Sequence, residues 1–196
     1  MDEITFTTAL EHVIARDRSA ESYAEYACFR ADDMDAIVDV IRETLTSIPS
    51  AFGSCVMVST GLIAALRAQG IPGVVVLGDL LVNGGYVFKC VENIPVPTYD
   101  GEVIDRVWDG HAWAMVGGYI MDLSLFRSAY AIDQPSRLKS YILDNFGTGR
   151  GALISTLQQL PTGMKFVPRY ALDDARIYGV LEGLSAQSKR LKRQSE

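Results

Sequence analysis

Residues 53–72 read GSCVMVSTGLIAALRAQGIP, and this stretch decides the fold. Its apolar residues recur at helical spacing, which predicts a helix with one face in the core. Ser54 suits the N-cap of that helix, and Gly70 followed by Pro72 suits its end. Cys55 therefore falls in the first turn, where the helix dipole and unpaired N–H groups favour a thiolate and can hold an oxyanion. The stretch predicts a nucleophilic cysteine presented by a helix.

The composition limits the classes of protein to consider. The chain has 196 residues, of which 48% are hydrophobic and 21% charged, an ordinary balance for a globular domain. Its net charge of −6 gives no reason to expect nucleic acid as a partner. No apolar run approaches the roughly 20 residues of a membrane span, and the N-terminus lacks a basic signal-peptide region. We expect a cytoplasmic protein, although a secreted effector with another export signal would have the same composition.

The three cysteines have different predicted roles. Cys28, Cys55 and Cys90 form no metal-type pair and leave one thiol over if two are bridged, which favours reduced thiols. Cys28 lies in an aromatic, alanine-rich segment and is predicted to be a small buried side chain. Cys90 is predicted to lie in a strand.

The remaining pattern predicts helices on both sides of a small sheet. Helices are predicted at 5–17, 32–48, within 136–160 and at 171–187, with a glycine-rich loop at 146–151. Strands are predicted at 73–78, 86–91, 111–116 and 119–123. His12, on the first helix, is interpreted as a surface or core-edge residue because it has no local partner.

A hairpin around Gly117-Gly118 brings two polar residues together. If its strands pair about these glycines, Asp122 lies opposite residue 113, and His111 is the next residue along the same face. A carboxylate in that position can orient the imidazole and stabilise its positive charge. The sequence therefore predicts a pair formed by His111 and Asp122.

Three motifs in order resemble the transglutaminase-like superfamily, which belongs to the papain-like group. The first is the Cys55 helix running into LRAQGIP at 66–72 and a valine-rich strand; the second is GHAW at 110–113; the third is GYIMD at 118–122. Similar motifs occur in the peptidases that trim leader sequences from lasso-type peptides. The arylamine N-acetyltransferases use the same triad. The match covers about residues 50–125.

The resemblance implies a fold and a domain organisation. We expect an α+β fold of papain/transglutaminase type, with a central antiparallel sheet packed against the cysteine helix and additional helices at both ends. The chain is then a single domain over 1–196. Its catalytic core spans about 50–125, its helical flanks 1–49 and 126–188, and a basic tail 189–196.

The resemblance also implies a chemistry. Cys55 attacks an amide carbonyl to form a thioester, His111 moves the proton and Asp122 orients His111, with no cofactor or metal ion. The expected substrate is a peptide or protein, and transfer to water is favoured. Transfer to an amine is one alternative, and a non-catalytic scaffold or binding protein is another. Zinc bound by the same three residues is a weaker alternative because their spacing is unusual for ligands. The sequence predicts neither the substrate identity nor the oligomeric state.

Overall fold

The computed structural model describes residues 2–31, 34–48, 54–97 and 108–194. These segments contain seven α-helices: α1 Glu3–Asp17, α2 Ala20–Cys28, α3 Met34–Ser47, α4 Cys55–Ala68, α5 Leu125–Ala131, α6 Arg137–Phe146 and α7 Asp174–Gln194. They also contain six strands: β1 Val74–Val82, β2 Gly85–Phe88, β3 His111–Val116, β4 Tyr119–Asp122, β5 Leu153–Ser155 and β6 Met164–Ala171. The fold is therefore α+β, as predicted. Within the described segments, no helix has both the length and the apolar character needed to cross a membrane.

Helix α4 begins and ends where the sequence predicts. Ser54 occupies its N-cap position, and Gly70 adopts a left-handed conformation with φ of 74°. The Gly70 N–H donates to Arg67 O and the Ile71 N–H donates to Leu66 O, each over 3.0 Å. This pair of bonds is the Schellman motif, which ends the helix and directs the chain into β1 after a short connection. Because the connection is short, α4 runs antiparallel to β1.

All strand pairs of the sheet are antiparallel, and β1 is central to them. β1 pairs with β3 over 74–78, with β2 over 80–82 and with β6 over 76–82. β6 pairs with one edge of β1, alongside parts of both the β2 and the β3 segments. β2 and β3 therefore both pair with the other edge of β1. The chain therefore leaves this edge at Phe88, opposite Leu80, and rejoins it at His111, opposite Gly78.

Helices cover both faces of the sheet. One hydrophobic cluster joins alternate residues of β1, such as Val74 and Val76, to α1, α5 and α6. The other cluster joins the intervening residues, such as Val75 and Leu77, to α3, α4 and α7. Alternate side chains of a strand point to opposite faces, so the continuous apolar run of β1 is explained by burial on both sides.

The structure differs from the predictions in several elements. β5 and η1, a short 3₁₀-helix at Leu157–Gln159, occupy the end of the region predicted as helix within 136–160. β6 was not predicted, because Pro168 argues against a central strand. It is accommodated where the β1–β6 register shifts, next to Gly78. Helix α2 was also not predicted.

The cysteine predictions outside α4 were wrong in detail. Cys28 is exposed at the end of α2, so it is not a core residue. Cys90 is buried, but it follows β2, which ends at Phe88, instead of lying in a strand. The Cys28 error arises because an apolar sequence context does not say which way a side chain points, and the Cys90 error because β2 is shorter than the apolar pattern indicates.

Candidate active site

His111 and Asp122 form a buried pair at the end of the β3–β4 hairpin. The register Ala114 with Met121 confirms the predicted pairing about the two glycines. His111 Nε2 lies 2.5 Å from Asp122 Oδ2, and both residues have 0% exposure. The polar side chains are thus in contact inside the protein, where a charge-assisted hydrogen bond is strong.

The second carboxylate oxygen of Asp122 is held by the start of α5. Oδ1 accepts from the Ser124 N–H at 3.0 Å, from the Ser124 hydroxyl at 2.9 Å and from the Leu125 N–H at 2.9 Å. Oδ2 remains directed at the imidazole. Four hydrogen bonds therefore fix the carboxylate, and through it the orientation of the His111 ring.

The His111 ring is more basic than an ordinary histidine. Burial lowers its pKa, but the charge and hydrogen bond of Asp122 act in the opposite direction, as does the nearby Cys55. Together these groups raise the pKa of His111 to about 10. At neutral pH the ring is therefore an imidazolium that can give up a proton.

Cys55 approaches this ring from the first residue of α4. Its side chain is almost buried, with 7% exposure, and its thiol contributes to raising the pKa of His111. Because Asp122 occupies Nε2, Nδ1 is the ring nitrogen left for the sulfur. Nδ1 is buried and makes no hydrogen bond of normal geometry within the described residues. Such contacts are often loose without substrate and tighten in the reacting complex.

One hydrogen bond ties the helix of Cys55 to the strand of His111. The Ser59 hydroxyl, one helical turn after Cys55, donates to the Ala112 carbonyl at 3.2 Å. Ala112 is the neighbour of His111 and, like Ala114, packs in the same cluster as α4. Small side chains at these positions allow the helix to approach the strand closely.

The first turn of α4 differs from those of α1, α2 and α6. Asp2, Ser19 and Ser136 cap α1, α2 and α6 with side-chain hydrogen bonds. Ser54 makes no such capping bond, and the first turn of α4 contains no acidic residue. A capping side chain or a carboxylate in this turn would compete with an oxyanion for its N–H groups.

Aromatic rings surround the imidazole. Phe88 stacks on His111 with ring centres 5.1 Å apart and planes 10° apart, while Phe166 and Trp113 lie 6.0 and 6.3 Å away. Trp113 is fully buried, so it belongs to the core. Trp108 is half-buried and donates through Nε1 to Glu92 O at 2.9 Å. These rings exclude water from the His111–Asp122 pair.

The other two thiols lie in different environments. Burial raises the pKa of the Cys90 thiol to about 12, and the nearby Asp79 carboxylate adds to this effect. Cys90 is therefore protonated and unreactive at neutral pH. Cys28 is exposed. Among the described residues, no group of three or more histidine, cysteine or acidic side chains is arranged to bind a metal ion.

Three residues of the site were not predicted from the sequence. Ser124 supports Asp122, Ser59 fastens α4 to β3, and Phe88 covers His111. Ser124 follows an aspartate by two positions, a spacing typical of a side-chain turn. Ser59 lies four residues after Cys55, on the same helix face. Phe88 carries no such signal, because its contact depends on the long connection between β2 and β3.

Compared with protein-family models, with curated proteins and with solved structures, the chain has no significant match. Membership of the transglutaminase-like superfamily therefore stays a prediction.

Proposed function

We propose that this protein is a cysteine-dependent acyl-transfer enzyme with the papain/transglutaminase-like fold. It acts on an amide, as a peptidase or glutamine deamidase does, through a thioester on Cys55. The observation that carries the proposal is the fully buried His111–Asp122 hydrogen bond of 2.5 Å beside that cysteine. A buried charged pair is costly for a purely structural role, since apolar residues of similar volume often stabilise a core equally well.

The first half of the reaction forms the thioester. The Cys55 sulfur attacks the carbonyl carbon, and the electron pair of the C=O bond moves to the oxygen. The N–H groups of the first turn of α4 stabilise that oxyanion. The C–N bond then breaks, and His111 gives its proton to the leaving amine, while Asp122 keeps the ring in position.

The second half releases the acyl group. Water attacks the thioester, and His111, now neutral, takes a proton from it. The C–S bond breaks, which gives a carboxylic acid and restores the sulfur. An amine in place of water gives a new amide, as in the transglutaminases and the arylamine acetyltransferases. The aromatic rings exclude water around His111, and this supports transfer to an amine as the second possibility.

Alkylation with iodoacetamide tests whether Cys55 is a nucleophile. We expect Cys55 to react at least about tenfold faster than Cys28, and Cys90 to react slowest, as measured by peptide mass spectrometry at neutral pH. His111→Ala should slow the alkylation of Cys55 by about tenfold or more, because the imidazolium is lost. His12→Ala is the matched control, since His12 is exposed on α1. Equal slow labelling of all three thiols would favour a non-catalytic scaffold.

Acylation with p-nitrophenyl acetate tests the thioester. One equivalent of p-nitrophenolate per chain should be released in a burst, and the acetyl group should be found on the Cys55 peptide. Addition of butylamine then separates the two second steps. Faster deacylation with formation of butylacetamide favours an amine acceptor, whereas no change favours water.

A further inference from the structure

Part of the sheet close to the candidate site is exposed on the side that carries α4. Val75 and Leu77 of β1 pack against α4, and the alternation along the strand directs Asp79 and Leu81 to the same side. Leu81 pairs with Lys165 of β6 and with Tyr86 of β2, which gives a row across three strands. We call this surface the open sheet face and define it by Leu81, Tyr86, Lys89, Lys165, Val167 and Arg169.

The open sheet face is cationic in an acidic protein. Lys89, Lys165 and Arg169 are exposed, Tyr86 is 53% exposed, and the face is completed by half-buried aliphatic side chains. The chain as a whole has 24 acidic and 18 basic residues. Arg169 is ion-paired with Asp79, so the local excess of positive charge comes from Lys89 and Lys165, and it is opposite in sign to the overall charge.

Two of these cations are held in place. Nε and Nη2 of Arg169 donate to Asp79 Oδ2 at 2.9 and 2.7 Å, and Asp79 is itself buried. Its other oxygen accepts from the Cys90 N–H at 2.8 Å. Lys89 Nζ lies 5.5 Å from the centre of the Tyr86 ring, within the range of a cation–π contact. The Lys89 ammonium is thus partly ordered before an anion binds, whereas the charge of Arg169 is already balanced by Asp79.

The open sheet face lies on the same side of the sheet as Cys55, which belongs to the same hydrophobic cluster as Val75 and Leu77. His111 pairs with Gly78, and Asp79 to Leu81 are the next residues along β1. At about 3.3 Å per residue, the row through Leu81 lies roughly 10 Å along the strand from the partner of His111. A bound peptide of a few residues can reach from this row to the site.

We infer that the open sheet face is an exosite for an acidic segment of the peptide or protein substrate. This inference rests on the proposed function and narrows its substrate class. Carboxylates pair with Lys89 and Lys165, while Tyr86 and the aliphatic side chains contact the peptide between them. A nucleic acid carries a negative charge at every nucleotide and extends beyond the face onto a protein with a net charge of −6, whereas a short acidic segment need contact only the lysines of the face.

Fluorescence anisotropy with a labelled hexaglutamate peptide tests the exosite. The full chain carrying Cys55→Ser is used, so binding is measured without turnover. We expect hexaglutamate to bind more tightly than hexaglutamine, and added salt to weaken the binding. The double substitution Lys89→Gln with Lys165→Gln should weaken hexaglutamate binding about fivefold, since each exposed charge contributes modestly.

Two full-chain controls make this test specific. Arg42→Gln removes an exposed cation on α3, and neutralisation of Lys189, Arg190, Lys192 and Arg193 to glutamine removes the basic tail. Neither control should change binding by more than about twofold. Loss of binding in the tail variant alone, equal binding of both peptides, or tighter binding of oligothymidylate would overturn the inference. Cys55 alkylation in the otherwise unchanged protein separates failure of the exosite from failure of the proposed chemistry.

Discussion

The charge on His111 is the residue-scale feature with the most consequences. A buried imidazolium is stable only beside an anion, and Asp122 supplies that anion through a 2.5 Å contact. Ser124 and the start of α5 in turn hold Asp122. Removing any one of these groups should therefore change a measurable property of the ring.

The first prediction concerns Asp122→Asn. Without the carboxylate charge, burial dominates, so we expect the pKa of His111 to fall from about 10 to below the ordinary value of 6.5. Histidine ring NMR as a function of pH measures this directly, because the chain has only two histidines and His12→Ala leaves one signal. A His111 that titrates at the same pH in both proteins would contradict the assignment of Asp122.

The second prediction follows from linkage. The folded-state pKa of His111, about 10, lies above its unfolded value near 6.5, so the bound proton stabilises the fold fully below pH 6.5. This stabilisation is lost as the pH rises toward 10. We expect the free energy of unfolding, from urea titration, to fall between about pH 7 and about pH 8.5. The slope should be much smaller in His111→Gln, and equal slopes would refute the raised pKa.

At the scale of elements, the contact between α4 and β3 places Cys55 near His111. The hydroxyls of Ser59 and Thr60, which are neighbours on α4, differ in their hydrogen bonding. The Ser59 hydroxyl donates to Ala112 O, whereas the buried Thr60 hydroxyl makes no hydrogen bond with any described residue. A matched pair of substitutions can therefore separate alignment from general stability.

The third prediction uses this pair. Ser59→Ala should cost about 1 kcal/mol of unfolding free energy and slow Cys55 alkylation a few-fold, because the helix is no longer fastened beside His111. Thr60→Val keeps the shape and removes an unsatisfied hydroxyl, so it should be neutral or stabilising and leave alkylation unchanged. If Cys55 is alkylated at the same rate in both variants, the Ser59 hydrogen bond does not position Cys55.

The elements also show what sequence patterns can predict. α4 was predictable because periodicity, capping residues and the final glycine all agree. The β3–β4 hairpin was predictable because paired glycines fix the register. β6 was not, since Pro168 breaks the strand signal and is accepted only where the register of β1 shifts. The contact of Cys55 with His111 joins residues 56 positions apart, so only the resemblance suggested it.

At the scale of the whole molecule, Gly78 lies where β1, β3 and β6 meet. A Cβ at this position would lie 2.0 Å from Val167 O and 2.7 Å from Trp113 Cη2. Backbone atoms of a central sheet cannot move aside cheaply. The glycine is therefore required for three strands and for the ring next to His111 to pack together.

The fourth prediction tests this requirement. Gly78→Ala should lower the free energy of unfolding by about 3 kcal/mol or more through overpacking. Gly151→Ala is the control, because its Cβ would make only an ordinary contact with Leu45 at 3.4 Å, and it should change stability by less than about 0.5 kcal/mol. Urea denaturation measures both. Similar midpoints for the two variants would show that the sheet tolerates a side chain at position 78.

The chain leaves the edge of β1 at Phe88, opposite Leu80, and returns at His111, opposite Gly78, only two residues away on β1. Insertions or deletions between these two points need not shift the register of the sheet or the position of the imidazole. Natural variation can therefore lengthen, shorten or replace that connection while His111 and Asp122 stay paired. Under the proposed function, such a design lets the choice of substrate diverge without any change in the groups proposed to react.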